Sequence, residues 1–205
     1  MNASLKGILA CLVVWSQAAH GQQPESEAAL RAGAVAATKI LGNEVVKGNF
    51  SYTIQRMYPR WKKKVAADVG GMDKLVEFLS QVPKQMKQNG ITILSFEPGV
   101  PKKVFEVQGA IIQTRDGQKK TIYTEWLVFV PTTMKYLVPD PATGKNVRLE
   151  KSGFQVAVSR KEENDWYFID GSNLKIEELR RLFPALPGSK EALELPEVGD
   201  FKKIN

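Results

Sequence analysis

The side chains that carry most protein chemistry are scarce in this chain, which has one histidine, His20, and one cysteine, Cys11. Both fall in a stretch, residues 1–21, built like a removable export signal. A short polar start with Lys6 leads into an apolar core at 7–15, and the small residues Ala18-Ala19-His20-Gly21 form the exit. Cleavage after Gly21 takes both groups away, and cleavage after Ala19 leaves His20 as an N-terminal residue outside any core. The mature chain is therefore expected to lack serine–histidine triads, cysteine nucleophiles, thiolate or imidazole zinc sites and a histidine pH switch, because each needs a group that is gone. Carboxylates and tyrosines are what remain for chemistry.

Glu125 is the first of these. In 121–130 strict alternation puts Ile122, Thr124, Trp126, Val128 and Val130 on one side, and Tyr123, Glu125, Leu127 and Phe129 on the other. A carboxylate between aromatic and aliphatic neighbours is expected to be desolvated, and desolvation raises its pKa toward the range of a general acid or base. The plainer reading is an edge residue paired with Arg or Lys. Tyr123 and Phe129 share its face, and with Tyr58 and Trp61 they are the candidate ligand contacts. Tyr58 and Trp61 flank Pro59 at a helix break, where a pocket mouth often lies in α+β rolls, and a core or capping role is the plainer reading. Asp170 shares a strand face with Trp166 and Phe168, yet Asp170-Gly171-Ser172-Asn173 also reads as an ordinary turn before a last helix. The candidate catalytic set is thus Glu125, Asp170, Tyr58 and Tyr123. No Asp/Glu group has calcium-loop spacing, and neither Gly42 nor Gly70-Gly71 opens a phosphate-binding motif, so no metal and no cofactor are expected.

The elements that position these residues come in two blocks, helices and then strands. Leu30, Ala34, Ala37, Leu41 and Val45 make an apolar stripe at three- and four-residue intervals, predicting a helix over 25–47 that Gly48 stops. A second helix is expected over 49–58 with Asn49 as N-cap, and a third from Pro59 to Gly70-Gly71. Leu75, Phe78, Leu79, Val82 and Met86 mark a fourth, ended by Asn89-Gly90 and expected to kink or split at Pro83. From Ile91 the period changes to two. Strands are predicted at 91–96, 104–115, 120–138, 148–160 and 165–170, with Asp116-Gly117 as a hairpin turn and Pro131 bending its strand or placing it at an edge. A helix over 174–183 follows, packing through Ile176, Leu179 and Phe183, and the Pro-, Gly- and Glu-containing stretch 184–205 is expected to be extended or disordered.

Charge says little about partners. The 29 Lys and Arg against 22 Asp and Glu give +7, of which the signal segment carries only Lys6. The basic residues are scattered, and the one cluster with an aromatic inside, Arg60-Trp61-Lys62-Lys63-Lys64, is most simply a solvated helix face. No nucleic acid is expected as a partner. Beyond the signal no apolar run is long enough to span a bilayer, so the mature chain is expected without a transmembrane span, periplasmic or secreted. Ile8-Leu9-Ala10-Cys11 resembles a bacterial lipobox only loosely, since Leu9 fits poorly before Ala10 and only ten residues precede the cysteine, so acylation of Cys11 is the weaker reading.

Helices segregated before an antiparallel sheet describe an α+β roll: N-terminal helices on a curved sheet with a cone-shaped pocket, a short C-terminal helix and a tail. The single domain is expected over 22–183. A helix ending in Met57-Tyr58-Pro59, a helix opened by Gly70-Gly71, and a last strand Trp166-Tyr167-Phe168-Ile169-Asp170-Gly171 resemble a set of exported bacterial proteins. More broadly, the chain over 28–183 resembles the nuclear transport factor 2-like superfamily, the cystatin-like or ketosteroid-isomerase-like roll. That resemblance implies a cavity-forming scaffold. Its enzymatic members use a carboxylate base with a tyrosine or protonated carboxyl at the oxyanion. No local motif aligns those site residues with positions here, and the histidine of the dehydratase branch is absent.

Three functional readings follow. The first is a non-catalytic exported module that binds a small apolar ligand or an envelope protein. The second is a carboxylate/tyrosine lyase or isomerase, which requires a buried carboxyl within hydrogen-bond reach of a tyrosine. The third is a structural or assembly protein, a homodimer through the outer face of the sheet.

Overall fold

The computed structural model describes residues 26–205. Residues 1–25, with the signal-like stretch, Cys11 and His20, lie outside the described residues. The fold is α+β: four N-terminal helices packed on an antiparallel six-stranded sheet, followed by a short C-terminal helix. The helices are α1 (Glu27–Val46), α2 (Phe50–Gln55), α3 (Pro59–Asp68) and α4 (Met72–Gln88). The strands are β1 (Thr92–Pro98), β2 (Val104–Gln113), β3 (Lys119–Pro139), β4 (Asn146–Arg160) and β5 (Trp166–Asp170). The chain closes with α5 (Ile176–Leu182), α6 (Lys190–Leu193) and β6 (Lys202–Ile204).

Helix α1 begins where Ser26 Oγ accepts the Ala29 N–H at 3.2 Å, satisfying one of the free amides of the first turn. Its buried stripe is Leu30, Ala34, Thr38, Leu41 and Val45, one face at helical spacing. Thr38 is tolerated inside because its hydroxyl bonds back to the Ala34 carbonyl at 2.8 Å. Gly42 lets the helix settle on the sheet, since a Cβ there would stand 2.3 Å from Phe96 Cδ1. Helix α4 lies outermost, with Leu75 its one buried residue, and it runs unbroken through Pro83 rather than splitting.

Strand β3 is the spine of the sheet. The order is β1-β3-β4-β5, with β2 sharing the β3 edge with β1 and β6 sharing the β4 edge with β5. Along β3, β2 pairs with Lys119 to Val128 and β1 with Thr132 to Leu137. Pro131 stands in the interval between these two neighbours. Its carbonyl accepts the Gly99 N–H at 2.7 Å, and the donor that proline lacks faces the gap where no ladder bond is required.

Both faces of the sheet are covered. On one, Val128, Val130, Ala157, Trp166 and Phe168 pack with Ala34 and Leu41 of α1. On the other, Val107, Leu127, Phe129, Phe154, Val156, Val158 and Ile169 pack with Leu179 and Leu182 of α5 and with Phe183, Leu186 and Leu193. One expectation is corrected here. The stretch after Pro184, expected as an extended or disordered tail, is docked, with Leu186 and Leu193 buried and β6 paired to β4. The outer face, expected to meet a second subunit, carries this same C-terminal segment over its core, while Ile111, Ile112 and Ile122 of β2 and β3 stay exposed.

The second helix also stops earlier than its pattern suggests. It ends at Gln55 because Arg56 caps it in a turn and Met57 bridges to β5: Phe168 donates to Arg56 O at 2.8 Å and Tyr58 donates to Phe168 O at 2.9 Å. Pro59 then starts α3, its missing donor costing nothing at the first helical position. The bridge at Met57 carries Tyr58 past the sheet edge onto the C-terminal face, where its ring lies 5.3 Å from that of Phe183.

Candidate functional site

Hollows lie on both faces of the sheet. The first is a cavity of about 400 Å³ between α1, α2, α4 and the helix-covered face. Its walls are largely apolar: Leu41 and Val45 from α1, Phe50 and Met57 around α2, Met86 from α4, and Ile93, Phe96, Met134 and Phe168 from the sheet. The alternation of β3 decides which residues enter it. Thr132, Met134 and Tyr136 continue the face of Val128 and Val130 toward the cavity, whereas Leu127 and Phe129 point to the other side.

Polar groups gather at one end of this cavity. Asp170, at the end of β5, lines it together with Tyr136, Gln155, Lys151 and Ser172. The Asp170 carboxylate accepts the Ser172 N–H at 3.0 Å, as its turn reading expects, while the residue also lines the cavity. The Tyr136 hydroxyl donates only to the thioether of Met134, at 3.2 Å, a weak acceptor. Burial, with the nearby Asp170 charge adding to it, pushes the Tyr136 hydroxyl pKa up. Among the described residues, the Thr53 hydroxyl, also lining this cavity, is buried with no hydrogen-bond partner. Such groups are costly to leave unmatched, and here they stand beside empty volume.

The second hollow is a cleft of about 580 Å³ at the edge of the C-terminal face, lined by Tyr58, Arg60, Gln108, Glu125, Arg160 and Tyr167 among others. Here Glu125 and Tyr58 meet: the phenol donates to Glu125 Oε2 at 2.9 Å. Gln108 donates its side-chain amide to the Tyr58 hydroxyl at 3.3 Å and to the Leu182 carbonyl at 3.0 Å, and Arg60 donates to the same carbonyl at 2.7 Å. Burial raises the Glu125 pKa against the lowering effects of the Tyr58 hydrogen bond, Arg160 and Arg60. Burial first, and then the Glu125 charge, pushes Tyr58 up to about 12. Glu125 is not the Arg- or Lys-paired edge residue of the plainer reading, since no ion pair to it occurs among the described residues.

The remaining candidates separate. Trp61 lines the first cavity and also packs against the C-terminal core, bridging the two at the sheet edge. Phe129 lines neither hollow. It is 4% exposed, edge-on between Phe105 and Phe154, and its role is structural. Tyr123 stands on the same strand face as Glu125 but outside the cleft, its ring against Gly109, where a Cβ would come within 3.2 Å of it. Three residues went unforeseen: Tyr136, whose alternation with Met134 and Thr132 was readable, Thr53, and Gln108, whose positive φ of 58° has no signature in sequence.

Comparison with known protein families, with curated proteins and with solved structures finds no match to this chain. What the two hollows do has to be argued from their own chemistry. Among the described residues no three carboxylates, histidines or cysteines stand close enough to hold a metal ion, and no helix is long and apolar enough to cross a membrane.

Proposed function

We propose that this protein is an exported binding module whose cavity under the N-terminal helices takes one small, mainly apolar ligand with a single polar end. The observation that carries the reading is the pairing of about 400 Å³ of apolar-walled space with hydroxyls that lack adequate partners, Thr53 within it and Tyr136 at its polar end. Binding cavities for small molecules have this size and this make-up, apolar walls with a few placed polar groups. The ligand's polar group would accept from Tyr136 and donate to Asp170, and its body would lie against Leu41, Phe96, Met86 and Phe168. The resemblance to the nuclear transport factor 2-like roll, with its cone-shaped pocket, accords with this reading, and the signal-like pattern of 1–21 supports export. Native mass spectrometry of protein taken from its natural host tests it: the expected species carries one small ligand, which is missing in Met134→Trp, a variant that fills the cavity. A bare chain in both would count against the reading.

A second reading, proton transfer by a carboxylate/tyrosine pair, is favoured by the 2.9 Å contact between Tyr58 and Glu125. Glu125 would act as the base through its other oxygen, with Tyr58 holding the carboxylate in place. Exchange of α-hydrogens of small carbonyl compounds into D2O, followed by NMR, tests it. Exchange lost in Glu125→Gln is the expected result, and no exchange above background with the unaltered protein would exclude it.

A further inference from the structure

The cleft at Glu125 holds more charge than its bond with Tyr58 uses. Glu125 Oε2 is occupied by Tyr58, and Oε1 has no partner among the described residues. Arg60, from α3, and Arg160, from the end of β4, both line the cleft and both act on the Glu125 charge, yet neither closes an ion pair with it. Each guanidinium is tethered by one nitrogen elsewhere. Arg60 Nη1 is held by the Leu182 carbonyl at 2.7 Å, and Arg160 Nη1 reaches Glu163 only at 3.4 Å. A guanidinium has five N–H donors, so each keeps several free.

The backbone is strained to hold this wall. Gln108 adopts φ 58° in the middle of β2, a left-handed conformation that costs an L-residue about 1–2 kcal/mol. In return its amide fixes the Tyr58 hydroxyl and the Leu182 carbonyl together, and through that carbonyl the position of Arg60. Strain retained at a polar cleft is a mark of a site held in a set geometry.

We infer that this cleft is a second binding site, for a small carboxylate, whose oxygens lie between Arg60 and Arg160 while Glu125 Oε1 takes up one proton from solvent and shares it with the ligand. The inference rests on neither reading above. The proton comes from water or buffer, the one bond formed is O–H at Glu125, and the ligand is unchanged. One negative charge fits better than two, because Arg160 is already partly neutralised by Glu163. The aliphatic Val158 and the ring of Tyr167 offer the ligand's carbon end an apolar wall. The titratable groups facing Glu125 are Tyr58, Arg60 of α3, Arg160 of β4, Glu163 of the following turn and Tyr167 of β5, with Gln108 and Thr124 neutral. Tyr58 and Tyr167 have raised pKa values and stay neutral, and Glu163 is paired with Arg160, so the proton goes to Glu125, where burial already favours it.

Calorimetric titration of the whole chain with propionate and benzoate, at pH 5.5 and 7.5 and in two buffers of different ionisation heat, tests this. The expected result is binding that tightens toward low pH, by at most about tenfold per pH unit, with net proton uptake approaching one. Arg160→Ala, at a side chain 69% exposed, is expected to weaken binding about tenfold or more with an unchanged melting temperature. Glu125→Gln is expected to keep binding and lose the proton uptake. Absence of binding up to tens of millimolar, tighter binding of inorganic phosphate than of either carboxylate, uptake of no proton by the unaltered chain, or an unaffected Arg160→Ala would each overturn the inference.

Discussion

Tyr58 and Glu125, 67 residues apart, meet in a 2.9 Å hydrogen bond because the bridge from Met57 to Phe168 carries the tyrosine past the edge strand. The bond joins the helical half of the chain to the sheet half, and it adds to burial in raising the Tyr58 pKa while opposing burial at Glu125. Without its hydroxyl, Glu125 keeps its burial and loses its donor. Tyr58→Phe is expected to destabilise the protein by about 1–3 kcal/mol in urea denaturation. In alkaline titration the last of the tyrosines to ionise, near pH 12, is expected to vanish from the same variant. A high-pH step unchanged in Tyr58→Phe would place that ionisation elsewhere.

The pH dependence of stability has a sign that follows from Glu125. Its folded pKa lies above the ordinary 4.5, so the folded chain holds this proton more tightly than the unfolded chain. The associated stability is full below about pH 4.5 and is lost as the pH rises through the folded value. Glu125→Gln keeps an acceptor for Tyr58 and removes the ionisation. Its melting temperature is expected to gain on the unaltered protein between pH 4 and pH 8. A gap that moves the other way would mean that the arginines stabilise the carboxylate more than burial penalises it.

Gln108 tests whether its conformation is a cost the protein carries. Both Gln108→Gly and Gln108→Ala lose the amide, but only glycine relieves the left-handed backbone. The glycine variant is expected to be more stable than the alanine variant by about 1 kcal/mol in chemical denaturation. Equal stabilities would show that β2 relaxes locally.

Gly42 sits mid-helix, where alanine ordinarily stabilises by about 1 kcal/mol. Here a methyl would meet the Phe96 ring at 2.3 Å. Gly42→Ala is expected to cost about 1–3 kcal/mol and, by displacing Phe96, to reshape the cavity wall. A neutral or stabilised variant would show that α1 is free to lift off β1.

What could be read in the sequence was the local and periodic part. The stripe of α1 and the alternation of 121–130 are set by neighbours in sequence, and both lead to the observed packing, with Val128 and Val130 under the helices and Leu127 and Phe129 on the far side. The suspicion attached to Glu125 came from the same alternation, and it stands half-buried beside a tyrosine. The rest depends on partners distant in the chain. Composition made 184–205 look extended, but what decides its course is an apolar sheet face needing cover, and Leu186 and Leu193 supply it. The helix ending at Gln55 looked longer because the pairing of Arg56 to Tyr58 with Phe168 lies more than a hundred residues away in sequence. Phe129 read as a ligand contact and is core, because the strand face it shares with Glu125 is filled by Phe105, Phe154 and the C-terminal segment. Gln108 is ordinary in sequence and strained in the fold.

The central claim is that the cavity beneath the helices binds a small apolar molecule, and titration with the neutral apolar dye N-phenyl-1-naphthylamine, read by energy transfer from Trp61, tests it most directly. Trp61 lines the cavity, so a bound dye quenches it. The account predicts saturable 1:1 binding, lost in Met134→Trp, with an energy-transfer signal that is reduced in Trp61→Phe and carried there by Trp126 and Trp166. Binding that persists undiminished in Met134→Trp, or no saturable binding to the folded protein, would contradict it.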